Sequence, residues 1–256
     1  MIRAILSDVH GNLEALSAVV ADARAAGAEH FWCLGDTVGY GPNPGECVDQ
    51  VSRFEISLLG NFDQAAILAP DEPLARHERT QAWTRAALTQ GPTEIVASRI
   101  DYLETRPRFW RDDSTLLCHA SPRDPLYEYV FAEDALDSSR RRTWFRMFDR
   151  LCFIGHTHIP GVLLEDGRFL PPDQWATSGM SAGGASHNER RKLLVNVGSV
   201  GLPRDGDPRA CYVLWDGRRV EFRRVAYDVA ATIDKLRSHP DLRDPQTERW
   251  LRPAAT

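Results

Sequence analysis

Five times along this chain a short apolar run stops at a residue type that ligates metals. Residues 3–7 lead into Asp8-Val9-His10, and 30–34 lead into Gly35-Asp36. Residues 55–59 lead into Gly60-Asn61-Phe62-Asp63, 115–119 end in His119, and 151–154 lead into Gly155-His156-Thr157-His158. Apolar runs of this length bounded by glycine and polar residues read as strands. In an open α/β sheet, ligands gather just beyond the carboxyl ends of the strands. The fold must therefore bring several strand ends to one place.

Together the blocks offer seven metal ligands: Asp8, His10, Asp36, Asn61, His119, His156 and His158. Two Asp, one Asn and four His suit Mn²⁺, Fe or Zn²⁺ better than an all-oxygen Ca²⁺ or Mg²⁺ site or a thiolate zinc site. A metal pair needs a bridging ligand and open positions for water and substrate. Asp36 is the best bridging candidate, because a carboxylate can give one oxygen to each ion. Taken singly, each block has a plainer reading: Asp8 as a helix cap, Asp36 and Asn61 as turn residues, and His119 as a structural histidine. Gly155-His156-Thr157-His158 is the most specific block, since histidines at i and i+2 in a tight turn can address two ions. Asp63 is placed to orient a neighbouring group.

The surrounding pattern changes near residue 151. Before it, strands alternate with helices expected at 13–26, 80–89 and 94–104, with Asn12 and Gly27 as caps and Gly91-Pro92 as a breaker. After it come β-like runs at 151–154, 161–164, 193–197, 211–215 and 220–224, with Asp216-Gly217 as a hairpin turn and a helix at 229–238. This shift predicts two sheets packed face to face with helices outside. One domain spans 1–240, and the polar tail 241–256 is expected to fray. The stretch 177–188, rich in Gly and Ser, reads as a loop, with a lid as its functional alternative.

The chain has 256 residues and a net charge of −5, with no global pull toward nucleic acid or membrane. Arg140-Arg141-Arg142 reads as a solvated helix face. The five cysteines are scattered without a C-x-x-C pair, no apolar stretch is long enough to span a bilayer, and residue 1 leads directly into a strand-like run. A cytoplasmic protein acting on a small phosphoester or nucleotide is the expectation, with its oligomeric state open.

In this order the blocks resemble the calcineurin-like metallophosphoesterase superfamily, and within it the small single-domain bacterial and archaeal phosphodiesterases, often described as diadenosine-tetraphosphatase-like. Leu34-Gly35-Asp36-Thr37-Val38-Gly39-Tyr40-Gly41-Pro42, His119-Ala120-Ser121-Pro122-Arg123-Asp124-Pro125 and Asn196-Val197-Gly198-Ser199-Val200-Gly201-Leu202-Pro203-Arg204 carry the resemblance beyond the ligands. It implies a four-layer α/β/β/α sandwich of two mixed sheets. It also implies Asp8, His10, Asp36 and His158 around one ion, and Asp36, Asn61, His119 and His156 around the other, Mn²⁺ or Fe being favoured. A hydroxide bridging the ions would attack phosphorus in line.

One position departs from the family pattern. Many members carry His after the Asn, as the leaving-group acid, where this chain has Phe62. Phenylalanine cannot transfer a proton, so an acid contribution of ~10²–10⁴-fold is absent or comes from elsewhere. This keeps a binding scaffold on the same fold, or a phosphomonoesterase or protein phosphatase, as alternatives to a phosphodiesterase. Arg123 and Arg204 can grip phosphate or make loop salt bridges. Tyr127 and Tyr129 can stack on a base or aryl group, or pack.

Overall fold

The computed structural model describes residues 1–68, 78–181 and 191–252. One sheet contains β1 (Ile2–Leu6), β2 (Ala28–Cys33), β3 (Ile56–Ser57), β10 (Ala210–Trp215) and β11 (Val220–Val225), in the order β11-β10-β1-β2-β3. The other contains β4 (Phe109–Arg111), β5 (Thr115–Cys118), β6 (Leu151–Ile154), β7 (Gly161–Leu164), β8 (Phe169–Leu170) and β9 (Leu193–Asn196), in the order β4-β5-β6-β9-β7-β8. Both are mixed. β1, β2 and β3 run parallel and β10 pairs antiparallel with β1. β5, β6 and β9 run parallel and β7 pairs antiparallel with β9.

Alternating side chains make this a sandwich. On β1, Ile5 joins Leu117, Phe153, Val195 and Val213 in a core contributed by both sheets. Its neighbours Ala4 and Leu6 face the other way, onto Ala15, Leu16 and Val19 of α1 (Leu13–Ala25). On the second sheet Leu116, Cys118, Cys152 and Ile154 turn outward onto Trp144 and Phe145 of α6 (Ser138–Arg146). The layers are thus helix, sheet, sheet, helix, as the resemblance implies.

The expected local signals operate. Asn12 caps α1 by accepting from Ala15 N at 3.1 Å. Gly91-Pro92 separates α4 (Glu78–Leu88) from α5 (Thr93–Glu104). Asp216 turns the β10–β11 hairpin by accepting from the backbone N–H groups of Arg218 and Arg219. Two further helices are α2 (Pro44–Val51), with proline in its first turn, and α3 (Asn61–Ile67), which starts at a predicted ligand. The solvated face expected at 140–142 is partly bound: Arg140 pairs with Glu128 and Asp134.

The expected fraying from residue 241 does not hold as far as 252. Pro240–Leu242 forms a 3-10 turn and α9 (Pro245–Trp250) follows, capped by Asp244 on the N–H groups of Gln246 and Thr247. Leu242 and Leu251 are buried with Tyr40, Phe62, Leu202, and with Ile233 and Leu236 of α8 (Val229–Ser238). The polar composition hid two leucines and a capped turn that bury apolar surface. Of the stretch 177–188, Thr177 closes α7 (Pro172–Thr177), and 182–188 lie outside the described residues. Among the described residues no helix is long and apolar enough to cross a membrane.

Candidate metal centre

The ends of β1, β2, β5 and β6 deliver most of the predicted ligands to one place. Asp8, His10 and His158 form one group able to hold a cation, and Asp36, His119 and His156 form a second, all six buried. The backbone shows what this convergence demands. Asp8, His10, Asp36, His156 and His158 all have positive φ, between 49° and 66°. Non-glycine residues in that region cost on the order of 1–2 kcal/mol each, and such strain concentrates at functional sites. Gly155 lets β6 come up against β1: a Cβ there would overlap Ser7 Oγ and Asp8 Oδ2.

Five of the ligand candidates, Asp8, His10, Asp36, His156 and His158, have one polar atom tied to the backbone and another left facing inward. Carbonyls only accept, so His10 Nδ1 must donate to Val38 O (3.2 Å), and His158 Nδ1 to Leu202 O (2.6 Å). Both Nε2 lone pairs then point inward, 3.1 Å apart. Two facing lone pairs repel unless a cation lies near them. His156 Nε2 likewise donates to Tyr127 O (3.3 Å), which turns Nδ1 toward His119 Nε2 at 3.1 Å. Asp8 Oδ2 accepts from His156 N (3.0 Å), while its buried Oδ1 has no hydrogen-bond partner among the described residues and lies 3.2 Å from His158 Nε2. Backbone contacts of this kind fix tautomer and orientation around metals. A nitrogen and oxygen donor set with an orphaned carboxylate oxygen fits divalent ions.

Asp36 joins the groups in a way that differs from expectation. Its Oδ1 accepts from Phe62 N at 2.8 Å. Its Oδ2 alone lies 3.7 Å from His10 Nε2 and 3.4 Å from His119 Nε2. One oxygen, rather than one for each side, faces both groups. Asn61 opens α3 instead of sitting in a turn, and its Oδ1 lies 3.0 Å from His119 Nε2.

The electrostatics favour positive charge here. Burial pushes His10 down to about 3, against the pull of Asp36, and pushes His156 down to about 4. Both are neutral imidazoles at pH 7, as ligation requires. Burial opposes charge on His119 as well, but Asp36 outweighs it and holds the imidazole up to about 9. Burial also opposes ionisation of Asp8 and Asp36, yet His158 beside Asp8 and His119 beside Asp36 hold both below the usual carboxylate range.

The remaining predicted residues separate. Asp63 touches neither group; it accepts from Val38 N (3.0 Å) and Gly60 N (3.1 Å), pinning the Asp36 loop to the start of α3. Burial and the charge of Asp36 push its carboxyl up to about 7, against backbone donors that favour the charged form. Arg123 is paired with Glu128. Tyr127 contributes its carbonyl to His156, and its hydroxyl accepts from Gln64 Nε2 at 2.6 Å. Tyr129, rather than Tyr127, lies on His156, its ring stacked 4.1 Å from the imidazole. Arg204 lies beside Tyr40, whose ring is edge-on to His10 at 4.9 Å. Phe62 is buried, 5.2 Å from the His10 ring and 4.7 Å from that of Tyr40.

Sequence reasoning passed over Tyr40, Asn196 and Ser199 as individual residues. Asn196 Nδ2 donates to Gly155 O and Thr157 Oγ1, both at 2.8 Å, and Ser199 Oγ donates to Asp8 O at 2.9 Å. For Asn196 and Ser199 the available signal was polar residues closing and following the apolar strand β9.

The profile of the calcineurin-like phosphoesterase superfamily domain matches residues 1–218. A metallophosphoesterase from Sphaerobacter thermophilus is 37% identical, with a TM-score of 0.74 over 93% of this chain and 94% of that one. The hypothetical protein PH1004 of Pyrococcus horikoshii shares the fold, with a TM-score of 0.70 over 98% and 97% of the chains at 18% identity. The uncharacterized protein MJ0912 of Methanocaldococcus jannaschii is 32% identical over 245 residues, covering 91% of this chain and 90% of that protein. The chain belongs to the calcineurin-like phosphoesterase superfamily, a family of hydrolases.

Proposed function

We propose that this protein is a dinuclear metal-dependent phosphodiesterase. In this reading Asp8, His10, Asp36 and His158 hold one divalent transition-metal ion, and Asp36, Asn61, His119 and His156 hold the other. The observation that carries it is Asp36 Oδ2, a single buried oxygen facing both His10 and His119. Nitrogen and oxygen donors without thiolate favour Mn²⁺ or Fe, with Zn²⁺ possible on the same ligands. Ions bound there supply Lewis-acid polarisation and lower the pKa of water.

The chain's own residues preorganise that chemistry. Val38, Leu202 and Tyr127 carbonyls set the histidine tautomers, and His156 N and Phe62 N orient the two carboxylates. Phe62 provides no proton, so aryl leaving groups of low pKa depart more readily than alkoxides. A diester carries less negative charge than a monoester. That suits a rim where Arg123 is already neutralised by Glu128.

Phe62 is the observation behind the scaffold alternative. Against it stand five strained ligand positions, a cost that a pure scaffold has no reason to retain. The test is hydrolysis of bis(p-nitrophenyl) phosphate with Mn²⁺, with chelator as control and metal content measured in parallel. Hydrolysis that disappears with chelator is expected. A protein holding two equivalents of metal yet inert toward aryl diesters and nucleotides across pH would refute the enzyme reading.

A further inference from the structure

Arg204 lies in a charged loop but takes no ion pair from it. Asp205 is held by Arg224 and Asp207 by Arg209, and among the described residues no carboxylate pairs with Arg204. Its Nε is buried without a hydrogen-bond partner among the described residues, which is costly for a charged group. Aromatic faces hold it instead. Its Cζ lies 4.4 Å from the Trp250 ring centroid and 6.0 Å from that of Tyr40. A hydrogen bond to the Tyr40 side chain leaves its charge unneutralised.

The same loop is anchored to the metal centre. Arg204 N donates to His158 O at 3.2 Å, and Leu202 O accepts from His158 Nδ1. Tyr40, beside which the guanidinium lies, meets the His10 ring edge-on at 4.9 Å. A guanidinium that no carboxylate among the described residues neutralises is thus carried on backbone tied to His158 and lies beside Tyr40, the aromatic neighbour of His10. Trp250 belongs to α9, past residue 218, where the family match ends.

We propose that Arg204 and Trp250 form an anion clamp, in which the indole face of α9 positions the guanidinium to take a non-bridging phosphoryl oxygen of the substrate. Trp250 is the positioning residue and Arg204 the binding residue. An indole face suits the task because it attracts and orients a guanidinium while accepting none of its in-plane hydrogen bonds. The Nη N–H groups that Tyr40 does not take stay available for phosphate, whose geometry matches the guanidinium fork. The clamp rests on the phosphoesterase reading, and it assigns the segment beyond the family domain a part in substrate binding.

The test titrates inorganic phosphate into Mn²⁺-reconstituted protein by calorimetry, with KM and kcat for bis(p-nitrophenyl) phosphate measured alongside. Arg204→Ala is expected to weaken phosphate about 10- to 100-fold, the range for losing a hydrogen bond to a charged group. Trp250→Leu keeps an apolar side chain without a π face and is expected to weaken it about 3- to 30-fold. Trp250→Phe keeps a face and stays within about threefold of wild type. KM should follow the same order, with kcat changing less than about threefold, because the interaction forms in the ground state as well. Arg204→Lys keeps the charge, loses the planar stack, does not alter α9, and is expected to bind about tenfold more weakly. The proposal is overturned if wild type binds no phosphate, if Arg204→Ala binds like wild type, or if Trp250→Leu and Trp250→Phe bind alike. Failure of the phosphoesterase reading is distinct: wild type would bind phosphate and hydrolyse no diester.

Discussion

Gly155→Ala tests whether the meeting of β1 and β6 builds the metal centre. A Cβ at this position would come within 2.7 Å of Ser7 Cβ and overlap both Ser7 Oγ and Asp8 Oδ2. Ser7 and Asp8 are fully buried and cannot swing into solvent. The strand ends must therefore separate. Overpacking of this kind costs about 1–3 kcal/mol. Displacing Asp8 also breaks its bond from His156 N, a charge-assisted hydrogen bond worth roughly 1.5–3 kcal/mol. The sum is about 2.5–6 kcal/mol, or a fall in Tm of roughly 5–24 °C for a chain of this size. Gly217→Ala is the control: its Cβ meets open space, so only the cost of φ = 96° remains, about 1–2 kcal/mol. The assay is differential scanning calorimetry with metal analysis of the Mn²⁺-loaded protein. Gly155→Ala should lose about one equivalent of metal. Two retained equivalents, with a Tm no lower than that of Gly217→Ala, would refute the steric argument.

Asp36→Asn should reduce metal content and abolish hydrolysis of aryl and alkyl diesters alike, because the amide replaces the shared anionic oxygen; selective loss on one substrate would contradict a bridging role. Phe62→His should lower Tm by several degrees, since the imidazole N–H enters an apolar cluster with Tyr40, Leu202 and Ile233, at about 1–3 kcal/mol for an unpartnered polar group. It should also raise turnover of alkyl diesters relative to nitrophenyl ones. An unchanged ratio would mean the ring cannot reach the leaving oxygen or protonation is not limiting. Metal binding at pH 7.5 should release a proton, because His119 is held up to about 9 in the metal-free pocket and must deprotonate to ligate; calorimetry in buffers of different ionisation enthalpy would detect it. In chelator, stability should fall as pH drops from 6.5 toward 4. His10 and His156, pushed down to about 3 and 4, stay neutral in the fold while their unfolded forms take up protons. A flat Tm across that window would contradict their burial as neutral imidazoles.

Much of this organisation is visible in the residues, because apolar runs and the polar residues that end them are local signals. Leu151–Ile154 and Gly161–Leu164 have the bounds expected of them, and Asn12 caps α1 as its side chain dictates. The convergence of Asp8 with His158, or of Asp36 with His119, came from motif order and family resemblance. No local pattern encodes which strand ends meet. The short helix α3 was missed because Gly60-Asn61 reads as a turn, while Asp63 bonding back to Gly60 N starts a helix there. The fate of Arg123 and Arg204 was undecidable from sequence. It depends on whether a carboxylate such as Glu128 folds within reach. The role of α9 was hidden because Leu242, Trp250 and Leu251 matter through partners distant in sequence.

The central claim is a pair of ions joined by Asp36. Anomalous diffraction from crystals of the Mn²⁺-loaded protein tests it directly. Two peaks are expected, one bound by Asp8, His10 and His158 and the other by Asn61, His119 and His156, each about 2.0–2.3 Å from its ligand atoms and both touching Asp36 Oδ2. A single peak, or two peaks of which one lies out of reach of Asp36, would contradict the account.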